Sequence, residues 1–137
     1  MTYITRATAA AGAVLAAAGL LLAGPAQAAS RATPSGDWLY LTVTHGESPS
    51  TESHGTLLRC DPPQGHPHAA AACAGLAAAG GDIARIPRKD VFCPMIYAPV
   101  TARAHGEWKG RPVQFQETYA GTCVMNARTG SVFALDE

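Results

Sequence analysis

Charge is scarce in this sequence and leans to neither sign. Only 15% of the 137 residues are Asp, Glu, Lys or Arg, and 10 basic side chains face 10 acidic ones. The Lys and Arg residues are scattered with Asp and Glu among them, so there is no basic patch to attract a polyanion, and nucleic-acid binding is set aside. Catalytic signatures are missing as well. There is no Gly-x-Ser-x-Gly elbow, no His-Glu-x-x-His helix, and no Cys and His paired in a recognisable nucleophilic setting. The chain is therefore expected not to be an enzyme and to need no cofactor. No internal repeat is present, and the one apolar run is shorter than a comfortable membrane span.

That run has a different use. Met1 to Arg6 carries a single positive charge, Ala9 to Ala23 is an uninterrupted Ala/Leu/Val/Gly stretch, and Pro25-Ala26-Gln27-Ala28 ends in the small-x-small pattern that signal peptidases cut. Cleavage is expected after Ala28. Residues 1–28 then form a signal peptide, residues 29–37 a small polar mobile tail, and residues 38–137 one domain exported to the extracellular space without a membrane anchor. Removing the leader takes away only Arg6 among the charged residues, so the mature chain stays close to neutral.

The four cysteines, Cys60, Cys73, Cys93 and Cys123, all lie in the mature part. An even count in a small exported domain predicts two disulfides, and four cysteines allow three pairings. Cross-links matter here because so short a chain builds only a small core.

Trp38 to Thr44, rich in β-branched and aromatic residues, reads as a strand, and Thr56 to Cys60 as its antiparallel partner across a long polar loop from His45 to Gly55. Asp61 to Pro67 is a turn-forming linker. His68 to Ala79 is the most helix-prone stretch, stopped by Gly80-Gly81, with Cys73 and Leu76 on one face. Val100 to Ala104 and Val113 to Tyr119 have strand character, and Val113, Phe115 and Tyr119 share a face by their even spacing. His105-Gly106 and Lys109-Gly110 supply turns. Thr122 to Ala127 reads as a short helix and Ser131 to Leu135 as a last strand. The order predicts an α+β fold, an antiparallel sheet with the helices on one side.

The stretch Cys93-Pro94-Met95-Ile96-Tyr97-Ala98-Pro99-Val100 stands apart. Pro94 and Pro99 fix their own φ and push Cys93 and Ala98 toward extended conformations, and Cys93 can anchor one end covalently. Between the anchors lie Met95, Ile96 and Tyr97, three large apolar side chains that an ordinary loop has little reason to display. An extended, stiffened apolar segment is the shape a protease recognises. Met alone is more often a core residue than a recognition residue, but the flanking proline and cysteine reverse that reading. Trp108 is either an interface anchor or a packed hairpin aromatic. Cys60, His66, His68 and Cys73 offer an alternative function, a small secreted metal-binding module, which an oxidising compartment disfavours. His45, His54 and His105 read as solvated loop residues.

Cys73 to Asp82, Cys93 to Val100, Gly106-Glu107-Trp108-Lys109-Gly110, Cys123 to Ala127 and the ending Ser131-Val132-Phe133-Ala134 resemble, in order, the Streptomyces subtilisin inhibitor family. The resemblance implies a five-stranded antiparallel sheet with two helices, disulfides Cys60–Cys73 and Cys93–Cys123, and a homodimer. It also implies a reactive site with Met95 as P1 and Ile96 as P1′, with Cys93, Pro94 and Tyr97 in the protease-contact loop. The implied partners are subtilisin-like serine proteases. The adaptable, unbranched Met side chain also suits the large apolar S1 pockets of chymotrypsin-like enzymes. One position departs from the family pattern: members often carry Asn two residues before the last cysteine, bracing the loop, and here that residue is Gly121.

Overall fold

In the computed structural model, β1 (Trp38–His45) is governed by strict alternation. Leu39, Leu41 and Val43 are no more than 1% exposed, while the residues between them face the other side of the sheet. The structure describes residues 35–47 and 52–136, so the expected signal peptide at 1–28 and residues 29–34 of the expected tail lie outside the described residues. At the end of that tail, Asp37 is already held. Its carbonyl oxygen accepts from the Cys60 N–H at 3.0 Å, and its Oδ1 accepts from the Lys109 N–H at 2.6 Å.

After β1 come β2 (Ser53–Cys60), β3 (Pro63–Gln64), α1 (Ala69–Ala78), a 3-10 turn (Ile83–Arg85), β4 (Val100–Trp108), β5 (Arg111–Tyr119) and α2 (Thr122–Thr129). The strands form one antiparallel sheet in the order β3-β2-β1-β4-β5. Central β1 pairs Leu41 with Ala104 and Val43 with Ala102, so small residues of β4 face large ones of β1 on the buried side. α1 packs against β2 and β3, and α2 against β4 and β5. Leu76 from α1 and Met125 from α2 enter the same core as Leu39, Leu41 and Leu58, so both helices cover one face.

α1 begins and ends within one residue of the expected bounds, and α2 begins at Thr122 as expected but runs two residues past Ala127, to Thr129. α1 ends where Gly80 and Gly81 take φ of 66° and 82° and the Gly81 N–H returns to Leu76 O at 2.8 Å, a left-handed cap that glycine adopts without steric cost. Trp108 packs directly on Gly81, where any side chain would collide with the indole. At 5% exposure Trp108 is a packed core aromatic and cannot serve as an interface anchor.

Four expectations need correction. His105 and Gly106 do not form a turn but lie within β4, and the reversal occurs at Lys109-Gly110, with φ of 47° and 76°. Gly106 is glycine because an added Cβ would run into the Trp38 carbonyl oxygen across the ladder. Ser131 to Leu135 is not a strand. Val132 and Phe133 are 1% exposed and Phe133 stacks on Phe115 with ring centroids 5.8 Å apart. Its backbone N–H groups, however, are satisfied in local turns, Val132 to Thr129 O, Ala134 to Ser131 O and Leu135 to Phe133 O. The apolar composition there reflects burial rather than pairing. The fifth strand is instead Pro63–Gln64, in the expected linker, at the sheet edge where a residue without an N–H is tolerated. The β1–β2 loop is also shorter than expected, since Thr44 pairs with Ser53.

Cys60 is bonded to Cys73 and Cys93 to Cys123, with Cα separations of 5.4 and 5.7 Å. Among the described residues no helix is long and apolar enough to cross a membrane.

Candidate functional site

Residues 87–99 run from the 3-10 turn to β4 without regular structure, and it is here that the chain displays apolar side chains. Phe92 is 93% exposed, Met95 102%, Ile96 71% and Tyr97 70%, with Val91 half-exposed beside them. A fold that leaves no other large aliphatic residue exposed among the described residues has no stability reason to present these together. No charged residue occurs between Val91 and Val100.

The segment is exposed but well held. The Lys89 N–H donates to Ala127 O at 2.8 Å, and the Cys93–Cys123 disulfide fastens the loop to the first turn of α2. Beyond Met95, the Ala98 N–H donates to Ala120 O at 2.9 Å, and Pro99 O accepts from the Gly46 N–H at 2.8 Å. The Tyr97 hydroxyl donates to Glu47 Oε1 at 3.0 Å. That hydrogen bond, followed by the negative charge of Glu47, pushes the Tyr97 hydroxyl above the usual phenol range. Two prolines, a covalent tie and contacts from β1, the end of β5 and α2 thus converge on a segment of a few residues. Such a segment keeps an extended shape before any partner arrives.

Behind the loop lies a cavity of about 460 Å³ lined by residues 93–98 and 120–124. Gly121 opens α2 without a capping side chain. A Cβ placed there would lie 3.7 Å from Ile96 O and 3.8 Å from Ala98 O. A side chain at this position would therefore meet the loop from the rear, and the glycine leaves that gap open.

The other site expected from sequence, the metal-ligand set Cys60, His66, His68 and Cys73, does not form. The two sulfurs are bonded to each other, so neither is a thiolate donor. His66 Nε2 donates to Val132 O at 3.0 Å while Nδ1 accepts the His68 N–H at 2.8 Å, which fixes a neutral imidazole as a latch between the linker and the segment after α2. Burial is the main cause that lowers its pKa; the bond to Val132 partly opposes this, and His68 adds to it. Among the described residues no group of three or more His, Cys, Asp or Glu is placed to hold a metal ion. His45 and His54 are strand residues beside Asp136, at 3.6 and 3.3 Å, and His105 lies between the Trp38 and Tyr40 rings.

Sequence reasoning placed Cys93, Pro94, Met95, Ile96 and Tyr97 together, and the structure presents them on one loop. It missed Phe92, whose only signal was an apolar Val91-Phe92 pair set between the charged Arg88-Lys89-Asp90 and Cys93. It also missed Glu47, which lies 50 residues from its Tyr97 partner and has no local signal.

The subtilisin inhibitor-like family model matches residues 35–121 of this chain. A Streptomyces avermitilis protein, provisionally named a serine protease inhibitor, is 58% identical over 126 residues, covering 92% of this chain and 86% of its own. The subtilisin inhibitor of Streptomyces albogriseolus is 43% identical over 122 residues, with 85% of this chain and 83% of that one covered. Among solved structures, Streptomyces caespitosus sermetstatin, in its complex with Bacillus licheniformis subtilisin, is similar with a TM-score of 0.56. It is 35% identical, and the match covers 71% of this chain and 96% of that one. With the family model matched over residues 35–121 and relatives at 43% to 58% identity matched over most of the chain's length, this protein belongs to the subtilisin inhibitor-like family.

Proposed function

We propose that this chain is a secreted inhibitor of subtilisin-like serine proteases, not an enzyme, and that it acts by offering residues 92–97 as a substrate that is bound and cut but not released. The observation that carries this reading is Met95, fully exposed on a loop fastened on both sides. Its side chain enters the S1 pocket, and the extended backbone on either side pairs with the enzyme as an added strand. Phe92, three residues before Met95, offers a second apolar side chain to the same cleft.

The protease serine attacks the Met95 carbonyl carbon, and the oxyanion hole holds the tetrahedral intermediate. Collapse gives an acyl-enzyme at Met95 and a free amine at Ile96. In a flexible peptide that amine diffuses away and water hydrolyses the ester. Here Cys93 ties the acyl half to α2 while Ala98 and Pro99 hold the amine half to the sheet, so the amine remains beside the ester and the peptide bond reforms. Stiffness also reduces the ordering cost of association, which lets an interface of ordinary size bind tightly.

Chymotrypsin-like enzymes, with their apolar S1 pockets, form a second partner class. The sheet face turned away from the helices carries Tyr40, 41% exposed, with His105 against it, a surface suited to the homodimer. Residues 1–28 serve as the export signal. Titration of subtilisin with the mature protein tests the reading: activity should fall linearly to an equivalence point, and mass spectrometry of long incubations should find cleavage between Met95 and Ile96. Full activity at molar excess would overturn it.

A further inference from the structure

The two halves of the loop are held by different means. The acyl half is tied covalently through Cys93. Among the described residues the amine half is held by hydrogen bonds, and the two made by its backbone begin at Ala98 and Pro99, beyond Ile96 and Tyr97. Gly121, directly behind them, offers no side chain to fill the gap. The side-chain link is on the other flank, where the Tyr97 hydroxyl donates to Glu47 Oε1 at 3.0 Å. Glu47 follows Gly46, whose own N–H is fixed to Pro99 O, so the carboxylate projects from an anchored backbone.

We propose that Glu47 is a positioning residue that grips Tyr97 and thereby keeps the Ile96 amine beside the acyl-enzyme after the Met95–Ile96 bond is cut. The inference rests on the reactive-site reading above. In religation the Ile96 nitrogen attacks the Met95 ester carbon, the C–N bond forms, the bond to the protease serine oxygen breaks, and the amine proton returns to that oxygen through the protease histidine. Hydrolysis is the same step with water in the place of the amine. The partition between them depends on how long the amine stays within reach. A carboxylate accepting from a phenol is a charge-assisted bond, and it strengthens as the enzyme covers the loop and excludes water. Like any phenol, the Tyr97 hydroxyl stays protonated and a donor through neutral pH, and its bond to Glu47 moves its pKa further upward.

The test compares wild type, Glu47→Ala, Glu47→Gln, Tyr97→Phe and the Glu47→Ala/Tyr97→Phe double variant, each incubated with a catalytic amount of subtilisin. The readouts are inhibitor cleaved over time, by mass spectrometry, and the association rate. Glu47→Ala and Tyr97→Phe should each speed net cleavage about five-fold, the size of one hydrogen bond, with association nearly unchanged for Glu47→Ala, which lies outside the protease-contact loop. Glu47→Gln, which keeps an acceptor, should fall between. The double variant should match the singles, since both remove the same contact. Equal cleavage rates for wild type and variants, with the cut still at Met95–Ile96, would overturn the role of Glu47 and leave the reactive site standing, as would additive effects in the double variant. A cut at another bond would overturn both readings. Glu47 is exposed, so unfolding temperatures should stay unchanged and identify any variant whose effect is merely structural.

Discussion

At the scale of single residues, the exposure of Met95 makes its chemistry separable from the fold. Met95→Lys should turn the chain into a trypsin inhibitor, because the Asp at the base of the trypsin S1 pocket pairs with an ammonium. The gain should be roughly ten- to a hundred-fold in inhibition constant, matching a charged hydrogen bond. Chymotrypsin binding should weaken by several kcal/mol, on the order of the cost of burying an unpaired polar group, while folding stability should shift by less than about 0.5 kcal/mol. Inhibition constants against both enzymes decide it; no change in either would move P1 away from Met95. His66 shows the opposite relation, a buried side chain whose protonation couples to the fold. Burial depresses its folded-state pKa below the ordinary imidazole value of 6.5. Above that value the imidazole is neutral both folded and unfolded, and its contacts contribute fully. As pH falls through 6.5 the unfolded chain takes up a proton that the folded chain resists, so stability drains away until the folded pKa is passed. The stability advantage of wild type over His66→Gln should therefore shrink between pH 7 and pH 5, as read by denaturant unfolding at each pH. An advantage that grows as the pH falls would contradict this.

At the scale of elements, the loop and α2 act as a pair through Cys93–Cys123. Replacing both cysteines by Ser should convert the inhibitor into a slow substrate, visible as protease activity that returns over hours after mixing. In the chain-entropy model, losing a closure of 30 residues also costs about 3.6 kcal/mol. Inhibition that persists unchanged would remove the disulfide from the mechanism. How much of this pairing could be read from sequence depended on whether its signals were local. Pro94, Pro99 and Cys93 announce a stiff anchored segment within a few residues, and the alanine run closed by Gly80-Gly81 marks α1 almost to the residue. Alternation of Leu39, Leu41 and Val43 likewise marks β1. Ser131 to Leu135 misled because strand-like composition measures burial, and Val132 and Phe133 are buried from a turn. Gly106 misled because a glycine that permits close backbone approach looks, in sequence, like one that permits reversal. Pro63–Gln64 is too short to show a period, and the grip of Glu47 on Tyr97 exists only once β1 has brought them together.

At the scale of the whole molecule, the two disulfides divide the work. Cys60–Cys73 joins β2 to α1 beneath the core, away from the loop. Replacing both by Ala should lower stability by about 3 kcal/mol for a closure with a sequence separation of 13. It should nevertheless leave the inhibition constant unchanged at temperatures where the chain is folded. A thermal melt with an inhibition assay below the transition separates the two effects, and a large loss of inhibition in the folded variant would tie this disulfide to the site. The fastening of Asp37 to Cys60 and Lys109 has a practical consequence. Asp37 stands at the opposite end of β1 from Gly46 and the loop, and eight residues of strand separate the two by about 25 Å. Asp136, by contrast, sits against His45 and His54 at the loop's end of the sheet. A chain starting at Ser35 and coupled to a bead through that residue would present every loop outward, and the resin should capture protease at close to one enzyme per immobilised molecule. Coupled through its last residues instead, the same chain would turn its loops toward the matrix, and much of that capacity should vanish.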